Sequence, residues 1–223
     1  LPDWLRPLAA ATDGLPASAL TGFEPPPGSA PRPASVLILF GEGAAGPHLL
    51  LLERSHDMRA HAGQVAFPGG VQDPSDADSV SAALREAEEE TGLDPEGVQV
   101  IATLPVLWLP ASNFDVTPVV AWWQTPSEVH PVDPAETASV HTITLAELLD
   151  PSNRVTIRHP SGFLGPGFLV RDLVVWGFTA GVLSRLFAIV GWELPWDDAV
   201  VVDLPDSLVA SSYRDLSRAE RGR

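Results

Sequence analysis

Hydrophobic residues occur in short runs separated by turn-forming residues, a pattern typical of alternating strands and helices. The runs at residues 36–40 and 49–52 predict two buried strands, and the Gly-rich segment between them predicts a hairpin. Further strands are predicted at residues 64–67, 98–104, 116–123, 140–144, 155–158 and 168–170. Helices are predicted at residues 79–91, 145–149 and 179–190. This order favours an α/β fold with a mixed sheet flanked by helices.

Composition divides the 223 residues into three predicted segments. Residues 1–34 contain many Pro, Ala and Gly residues and are interpreted as an N-terminal arm and linker outside the core. Residues 35–191 form the predicted domain, which is long enough to bury one core. Residues 192–223 are interpreted as an extra packing segment, a contact in a homodimer or a loose end.

Charge and residue usage exclude several classes of function. A formal net charge of −16 argues against nucleic-acid binding, which depends on Lys and Arg neutralising phosphates. A small anionic substrate is compatible with this negative charge if divalent cations bridge the substrate to protein carboxylates. The chain has no cysteine, which excludes disulfides and thiolate sites and is compatible with the cytoplasm. The apolar runs are far shorter than the roughly 20 residues of a membrane span, and the N-terminus is unlike a secretory signal, so no membrane association is expected.

One predicted helix, at residues 79–91, has an apolar stripe that indicates a buried face. The stripe recurs at intervals of three and four residues and contains Val80, Ala83, Leu84, Ala87 and Thr91. At about 100° per residue, Glu86, Glu89 and Glu90 lie together on the opposite side, and Glu88 lies outside their arc. The sequence therefore predicts three converging carboxylates on the helix face away from the core.

Three adjacent carboxylates repel one another, and a hard divalent cation such as Mg²⁺ or Mn²⁺ relieves that repulsion. The alternative is an acidic helix face that simply contacts solvent. The preceding segment favours the metal, because a short strand leads into the pair Gly69 and Gly70, which permits close backbone approach. Gly92 is predicted to cap the helix in the left-handed conformation, with Leu93 as an apolar anchor.

The run Arg85-Glu86-Ala87-Glu88-Glu89-Glu90-Thr91-Gly92 resembles the second half of the Nudix box, whose core is R-E-x-x-E-E-x-G. In the first half of that box, a Gly is followed after five residues by a Glu, and seven residues then precede the Arg. Here Gly70 is followed after five residues by Asp76, and eight residues precede Arg85. The role of Asp76 is therefore left open, with Asp73 and Asp78 as alternatives.

A second resemblance concerns the segment before the box. Residues 50–55, 58–59, 61, 63–65 and 67–70 are similar to the signature of coenzyme A pyrophosphatases, and residues 175–181 are similar to the entry to a C-terminal helix in that branch. The resemblance implies a Nudix-type α/β/α sandwich with a mixed β-sheet. It also implies hydrolysis of coenzyme A to 4′-phosphopantetheine and adenosine 3′,5′-bisphosphate.

The resemblance suggests roles for individual residues. Glu86, Glu89 and Glu90 are expected metal ligands, with Glu86 or Glu89 also positioning the attacking water. The Gly70 carbonyl is either a further ligand or only part of a turn. Arg85 is expected to hold a glutamate of the cluster in place.

The remaining candidates lie outside the helix. Glu136 is either another loop carboxylate used as ligand or base, or an ordinary loop acid. Arg54, Arg59 and Gln64 either contact substrate phosphates or form structural pairs. His56 and His61 are assigned no role, because Mg²⁺ prefers oxygen ligands.

Two alternative functions stay open. The surrounding loops select the substrate, so another nucleoside diphosphate derivative such as NADH or ADP-ribose fits the same chemistry. A catalytically silent nucleotide-binding Nudix module is the second alternative, which the intact glutamates disfavour.

Overall fold

A computed structural model describes residues 1–56 and 61–209 of the chain. The strands are β1 (Arg32–Gly43), β2 (Gly46–Arg54), β3 (Val65–Ala66), β4 (Gly69–Val71), β5 (Val98–Thr103), β6 (Leu107–Leu109), β7 (Phe114–Trp123), β8 (Thr137–Thr144), β9 (Arg154–Arg158), β10 (Leu164–Val170), β11 (Leu173–Val175) and β12 (Val201–Asp203). The α-helices are α1 (Arg6–Thr12), α2 (Ser79–Thr91), α3 (Leu145–Leu149) and α4 (Gly177–Val190). Short 3₁₀ turns occur at Asp3–Leu5, Ala17–Ala19, Pro95–Gly97 and Pro151–Asn153.

The larger sheet contains β1 to β8 and is mixed, as predicted. Strand β1 pairs parallel with β7 and antiparallel with β2 and β4. Strands β5 and β6 pair with β7, and β3 and β8 pair with β2, all antiparallel. A smaller sheet has the order β11-β10-β9-β12. The predicted hairpin is the β1–β2 pair.

Both faces of the larger sheet are buried, which explains the unbroken apolar runs in β1 and β2. Leu37, Leu39 and Leu50 point to the face covered by α2. Ile38 and Phe40 point to the other face, where α4 and the N-terminal segment complete the main core. The fold is therefore the predicted α/β/α sandwich, because alternate residues of each strand face opposite helical layers.

The helix predictions at residues 79–91 and 145–149 are confirmed, and the third helix begins two residues earlier than predicted, at Gly177. All the predicted strands are present, several of them longer than predicted. Strands β4, β6, β11 and β12 were not predicted, because each has only three residues and too little sequence for a periodic pattern.

The N-terminal segment contradicts its predicted place outside the core. Leu5 and Leu8 are completely buried, and Leu20 is 3% exposed, all within the main core cluster. Leu5 and Leu8 are three residues apart, the spacing of one helix face, so the turn at Asp3–Leu5 and α1 carry them against the sheet. The Pro- and Ala-rich composition of residues 1–34 concealed this short amphipathic element.

The C-terminal segment up to residue 209 is an extra packing segment, one of the three uses proposed for it. The Trp192 ring packs against the rings of Trp4 and Phe40, with centroids 6.0 Å apart in each pair. Strand β12 adds to the smaller sheet, and Leu204 and Leu208 pack beneath it. Residues 210–223 lie outside the described residues. Within residues 1–56 and 61–209, no helix has the length and apolar character needed to cross a membrane.

Candidate active site

Helix α2 is fixed at both ends by its own sequence. The Asp78 carboxylate accepts a 2.8 Å hydrogen bond from the Ser81 N–H and so caps the first turn. Gly92 ends the helix in the left-handed conformation, with φ of 68°, and Leu93 behind it is buried. These contacts confirm the predicted cap and fix the rotation of the helix, which determines where its glutamates point.

Glu90 is buried, with 8% of the residue exposed, which corrects the expectation that the three carboxylates lie together on the face away from the protein. Strand β4 and the end of β2 cover this part of α2. The Gly69 N–H donates a 2.8 Å hydrogen bond to Glu90 Oε2, and Arg54 Nη1 lies 3.6 Å from Glu90 Oε1. The carboxylate therefore lies between the helix and two segments that are distant in sequence.

Glu86 lies one turn earlier on α2, and its carboxyl group packs against the backbone of Gly70. A Cβ atom on residue 70 would fall 2.5 Å from Glu86 Cδ and Oε2, so only glycine leaves room for this contact. Glu89 is more open, with 60% of its side chain exposed, and Glu88 is exposed, as predicted. The three candidate ligands thus form a gradient from buried Glu90 through half-buried Glu86 to exposed Glu89.

Arg85 connects this cluster to the loop before α2. Its Nε and Nη2 donate to the two carboxylate oxygens of Asp76 at 3.0 and 2.9 Å. Its Nη1 donates to Glu86 Oε1 at 2.9 Å and to Glu89 Oε2 at 3.0 Å. The predicted contact between Arg85 and a glutamate is therefore present, together with a bidentate pair to Asp76.

The three aspartates of the loop have separate roles. Asp76 binds Arg85, and that hydrogen bond lowers the pKa of the Asp76 carboxyl. Asp78 caps α2, and the Asp73 carboxylate is 3.9 Å from Arg85 Nη2. Asp76, which stands where the box has a Glu, is therefore the aspartate of this loop that pairs with Arg85 in a bidentate contact.

Burial makes the inner carboxylates costly to ionise. It raises the pKa of Glu90 to about 7, and the negative charges of Glu86 and Glu136 act in the same direction. The Gly69 hydrogen bond and the positive charge of Arg54 oppose this shift. Burial also raises the pKa of Glu86, against the effect of Arg85. A bound cation would offset this cost, because a nearby positive charge favours the ionised carboxylates.

The donors present fit a hard divalent cation that is held only in part by carboxylates. Among residues 1–56 and 61–209, no three Asp, Glu or His side chains are arranged to hold one metal ion by themselves. Mg²⁺ commonly takes one or two carboxylates and fills its shell with waters and substrate phosphates. Glu86 and Glu90, both beside the Gly69–Gly70 backbone, match that mixed oxygen shell.

The remaining candidate residues are not all brought to the cluster. Arg54 reaches Glu90, and its buried Nε has no hydrogen-bond partner among residues 1–56 and 61–209. Glu136 is exposed, but its charge acts on Glu90, and its main-chain carbonyl accepts the Ser55 N–H. Gln64 points elsewhere, with its Oε1 2.9 Å from His61 Nδ1 in the wall of a groove. Arg59 lies outside the described residues.

That groove was not predicted from the sequence. It has a volume of about 880 Å³ and lies on the opposite side of the larger sheet from α2. Its wall residues come from segments far apart in the chain, so no local pattern could identify it. The Gly69-Gly70 pair, in contrast, was a local signal that another group approaches the backbone closely.

Comparison with known proteins shows which family the chain belongs to. The NUDIX domain family matches residues 30–160. An uncharacterized Nudix hydrolase NudL of Citrobacter koseri is 41% identical over 167 residues, covering 72% of this chain and 83% of the relative. The NudL of Enterobacter sp. is 39% identical over 155 residues, covering 66% and 77%. The crystal structure of a Nudix hydrolase from M. smegmatis, RenU, aligns with a TM-score of 0.50 and 21% identity over 74% of this chain and 89% of that one, which supports the fold. Because the box, the fold and these relatives agree, the chain belongs to the Nudix hydrolase family, whose members are pyrophosphohydrolases.

Proposed function

We propose that the chain hydrolyses the pyrophosphate linkage of coenzyme A or its derivatives to 4′-phosphopantetheine and adenosine 3′,5′-bisphosphate. Oxygen from one water bonds to one phosphorus, the bond from that phosphorus to the bridging oxygen breaks, and the water's protons pass to base and products. The observation that carries the proposal is the position of Arg54. This residue of the coenzyme-A-type segment lies 3.6 Å from Glu90 of the box and so joins the substrate signature to the carboxylate cluster.

The proposed cofactor is one or more Mg²⁺ or Mn²⁺ ions, with Glu86, Glu89, Glu90 and the Gly70 carbonyl as the ligands that they share with water and substrate oxygens. When bound, such a cation neutralises the pyrophosphate oxygens and lowers the pKa of coordinated water. Glu86 or Glu89 positions the attacking water, and the exposed Glu136 is a second candidate for that proton transfer. Arg85 positions Glu86 and Glu89, because its guanidinium is fixed by the Asp76 carboxylate. Arg54, Arg59 and Gln64 are the proposed contacts to the substrate.

Substitution of the glutamates tests the site. Glu86→Gln, Glu89→Gln and Glu90→Gln should each lower kcat by about a hundredfold or more, because each removes charge or a general base where the reaction needs it. Glu88→Gln is the matched control, since Glu88 is exposed on the same helix and should keep nearly full turnover. Thermal unfolding should show all four variants folded. Similar activity in all four variants would refute the assignment of Glu86, Glu89 and Glu90 to the catalytic face of α2.

Metal dependence is tested with excess chelator. Activity should be lost, return with Mg²⁺ or Mn²⁺, and leave the unfolding temperature little changed, because α2 is fixed by its caps and by packing. Full turnover in chelator would end the metal-dependent mechanism.

A substrate panel tests the specificity. Coenzyme A should have the highest kcat/KM when compared with dephospho-coenzyme A, ADP-ribose and NADH under identical conditions. Loss of the 3′-phosphate should cost about tenfold or more if a charge-assisted hydrogen bond reaches it. Faster cleavage of NADH or ADP-ribose would transfer the proposal to another nucleoside diphosphate derivative. No cleavage of any substrate would favour a silent nucleotide-binding module.

A further inference from the structure

The loop between β7 and β8 ends in a turn that fixes the backbone of Glu136. The Asp133 carboxylate accepts a 2.8 Å hydrogen bond from the Ala135 N–H. The Asp133 main-chain oxygen accepts the Glu136 N–H at 3.0 Å and the Thr137 N–H at 2.9 Å. Pro134 restricts the backbone between them, because its ring holds φ at about −65°. Three hydrogen bonds of this turn therefore converge on Asp133.

Asp150 makes the same kind of turn between α3 and β9. Its carboxylate accepts the Ser152 N–H at 2.8 Å, and its main-chain oxygen accepts the Asn153 N–H at 3.0 Å. A proline follows the aspartate in both turns. The fourth residue is Asn153 in this turn and Glu136 in the turn at Asp133. The same local geometry therefore ends one helical segment near β9 and places a carboxylate in the loop before β8.

The part of the loop before the turn is docked on the C-terminal end of α2. The His130 N–H donates to the Thr91 main-chain oxygen at 2.9 Å, and the Val132 N–H donates to the Glu90 main-chain oxygen at 3.4 Å. Carbonyls of the last helical turn have no partner within the helix, so they are free to accept these bonds. The His130 ring lies against Gly92, where a Cβ would fall 3.1 Å from His130 Cε1. The loop is therefore attached to the helix that carries the glutamates.

The part of the loop after the turn is attached to the other side of the carboxylate cluster. The Glu136 main-chain oxygen accepts the Ser55 N–H at 2.8 Å, and Nη1 of the preceding Arg54 lies 3.6 Å from Glu90 Oε1. Glu90 is thus contacted from both sides of the turn, at its main-chain oxygen by Val132 and at its carboxylate by Arg54. Besides burial, the negative charge of Glu136 raises the pKa of Glu90, which is the effect of a nearby carboxylate. These contacts connect the exposed Glu136 to the cluster.

We propose that Asp133 is a positioning residue, which holds Glu136 in place to accept a proton from the attacking water. The inference rests on the proposed function, where Glu136 is a candidate for that transfer, and adds the residue that places it. An exposed glutamate on an unattached loop would have many backbone arrangements, and few of them would reach the water. A turn that is fixed before the substrate binds removes this freedom in advance. Asp133 acts only through the backbone of Glu136 and contacts neither substrate nor water.

Two substitutions of Asp133 separate the turn from the charge. Asp133→Ala removes the acceptor for the Ala135 N–H and should lower kcat by about tenfold or more, with KM changed by less than about twofold. Asp133→Asn keeps a side-chain oxygen that caps in the same way, so it should keep about half of the activity or more. Asp150→Ala is the matched control, because it removes the same cap from the turn before β9 and should leave kcat unchanged. Full activity in Asp133→Ala, or an equal loss in Asp133→Asn, would overturn the inference.

A double substitution tests whether Asp133 acts through Glu136. Glu136→Gln should lower kcat by about a hundredfold, because it removes the proton acceptor. Adding Asp133→Ala to Glu136→Gln should then lower kcat by less than about twofold more, since the positioned group has already lost its function. A further tenfold loss would show that Asp133 acts by another route, and full activity in Glu136→Gln would show that there is no acceptor to position. Either result would overturn the inference.

The choice of substrate and a measurement without substrate separate this inference from the proposed function. The variants are compared on whichever substrate of the panel is cleaved, so cleavage of ADP-ribose or NADH in place of coenzyme A would refute the proposed substrate alone. A chain that cleaves no substrate of the panel would overturn both. Exchange of the Ala135 amide with deuterium, followed by NMR, needs neither substrate nor metal. It should be about tenfold or more faster in Asp133→Ala than in the unsubstituted chain and in Asp133→Asn. An unchanged rate would refute the role of Asp133 even if coenzyme A is cleaved.

Discussion

Two adjacent glycines show how single atoms set the geometry of the site. The three atoms nearest to a Cβ on residue 70 would all belong to the Glu86 carboxyl group, the far end of a flexible side chain. A Cβ on residue 69 would meet the main-chain oxygen of Ser35 and fall 2.7 Å from Val36 Cα, neither of which can rotate away. Gly70 therefore leaves room for the Glu86 carboxyl group, and Gly69 leaves room for the backbone of the neighbouring strand β1.

Substitutions of Gly69 and Gly70 should therefore have opposite effects on activity and stability. Gly70→Ala should lower kcat at least tenfold with little change in unfolding temperature, because the Glu86 carboxylate must move but the backbone need not. Gly69→Ala should lower the free energy of unfolding by about 1–3 kcal/mol, because two strands must separate. Turnover and thermal unfolding of both variants check this. Full activity in Gly70→Ala would show that the contact between Glu86 and Gly70 has no role in turnover.

At the scale of elements, α2 and α3 are both positioned by side chains that connect them to other segments. Arg85 joins α2 to the preceding loop through Asp76. Glu147 closes a capping box with Thr144 at the start of α3 and accepts hydrogen bonds at 2.9 and 3.0 Å from Arg171, which follows β10. The local caps determine the residue at which each helix begins. Arg85 and Arg171 determine which neighbouring segment it contacts.

The Glu147–Arg171 pair predicts a pH dependence of stability. Its hydrogen bonds lower the pKa of Glu147 to about 2 from an ordinary 4.5. Because the pKa of the folded state is the lower one, the stabilisation is complete above about pH 5 and declines as the pH falls towards 2. Glu147→Gln should therefore destabilise the protein at pH 7 and progressively less at pH 4 and pH 3.

Chemical denaturation at the three pH values measures this difference. Glu128→Gln is the control, since Glu128 is exposed and its removal should change stability little at any of them. A Glu147→Gln effect that stays constant from pH 7 to pH 3 would mean that the carboxylate charge does not contribute.

At the scale of the whole molecule, the N-terminal segment completes the core on the face of the sheet opposite α2. Leu5, Leu8 and Leu20 are buried among residues of α4 and the sheet. The same segment continues into one wall of the groove at Phe23. Residues whose composition suggested a linker therefore contribute both to the core and to the wall of the groove.

Truncation of one buried leucine measures that contribution. Leu8→Ala should lower the free energy of unfolding by about 2–5 kcal/mol, because it leaves a cavity in a packed core. Leu1→Ala, in the same segment but with 45% of the residue exposed, should cost less than about 0.5 kcal/mol. Equal stabilities of the two variants would place α1 outside the cooperative unit.

The sequence by itself determined the features that depend on near neighbours. The periodicity of α2, its Gly92 cap, the exposure of Glu88 and the position of the main strands follow from spacing along one element, where helix and strand geometry act directly. The glutamate run could be recognised as a candidate metal site for the same reason, since residues three and four apart on a helix are neighbours.

Only the tertiary structure decided which face of α2 is covered, which aspartate binds Arg85 and that α1 packs into the core. Glu90 is buried because Gly69 and Arg54 approach it from segments 21 and 36 residues away, a distance over which no local periodicity acts. The groove likewise combines residues from both ends of the chain. Such contacts depend on how the strands are ordered in the sheet, which hydrophobic patterning alone does not specify. That order includes the parallel pairing of β1 with β7, although β2 to β6 and α2 lie between them in the chain.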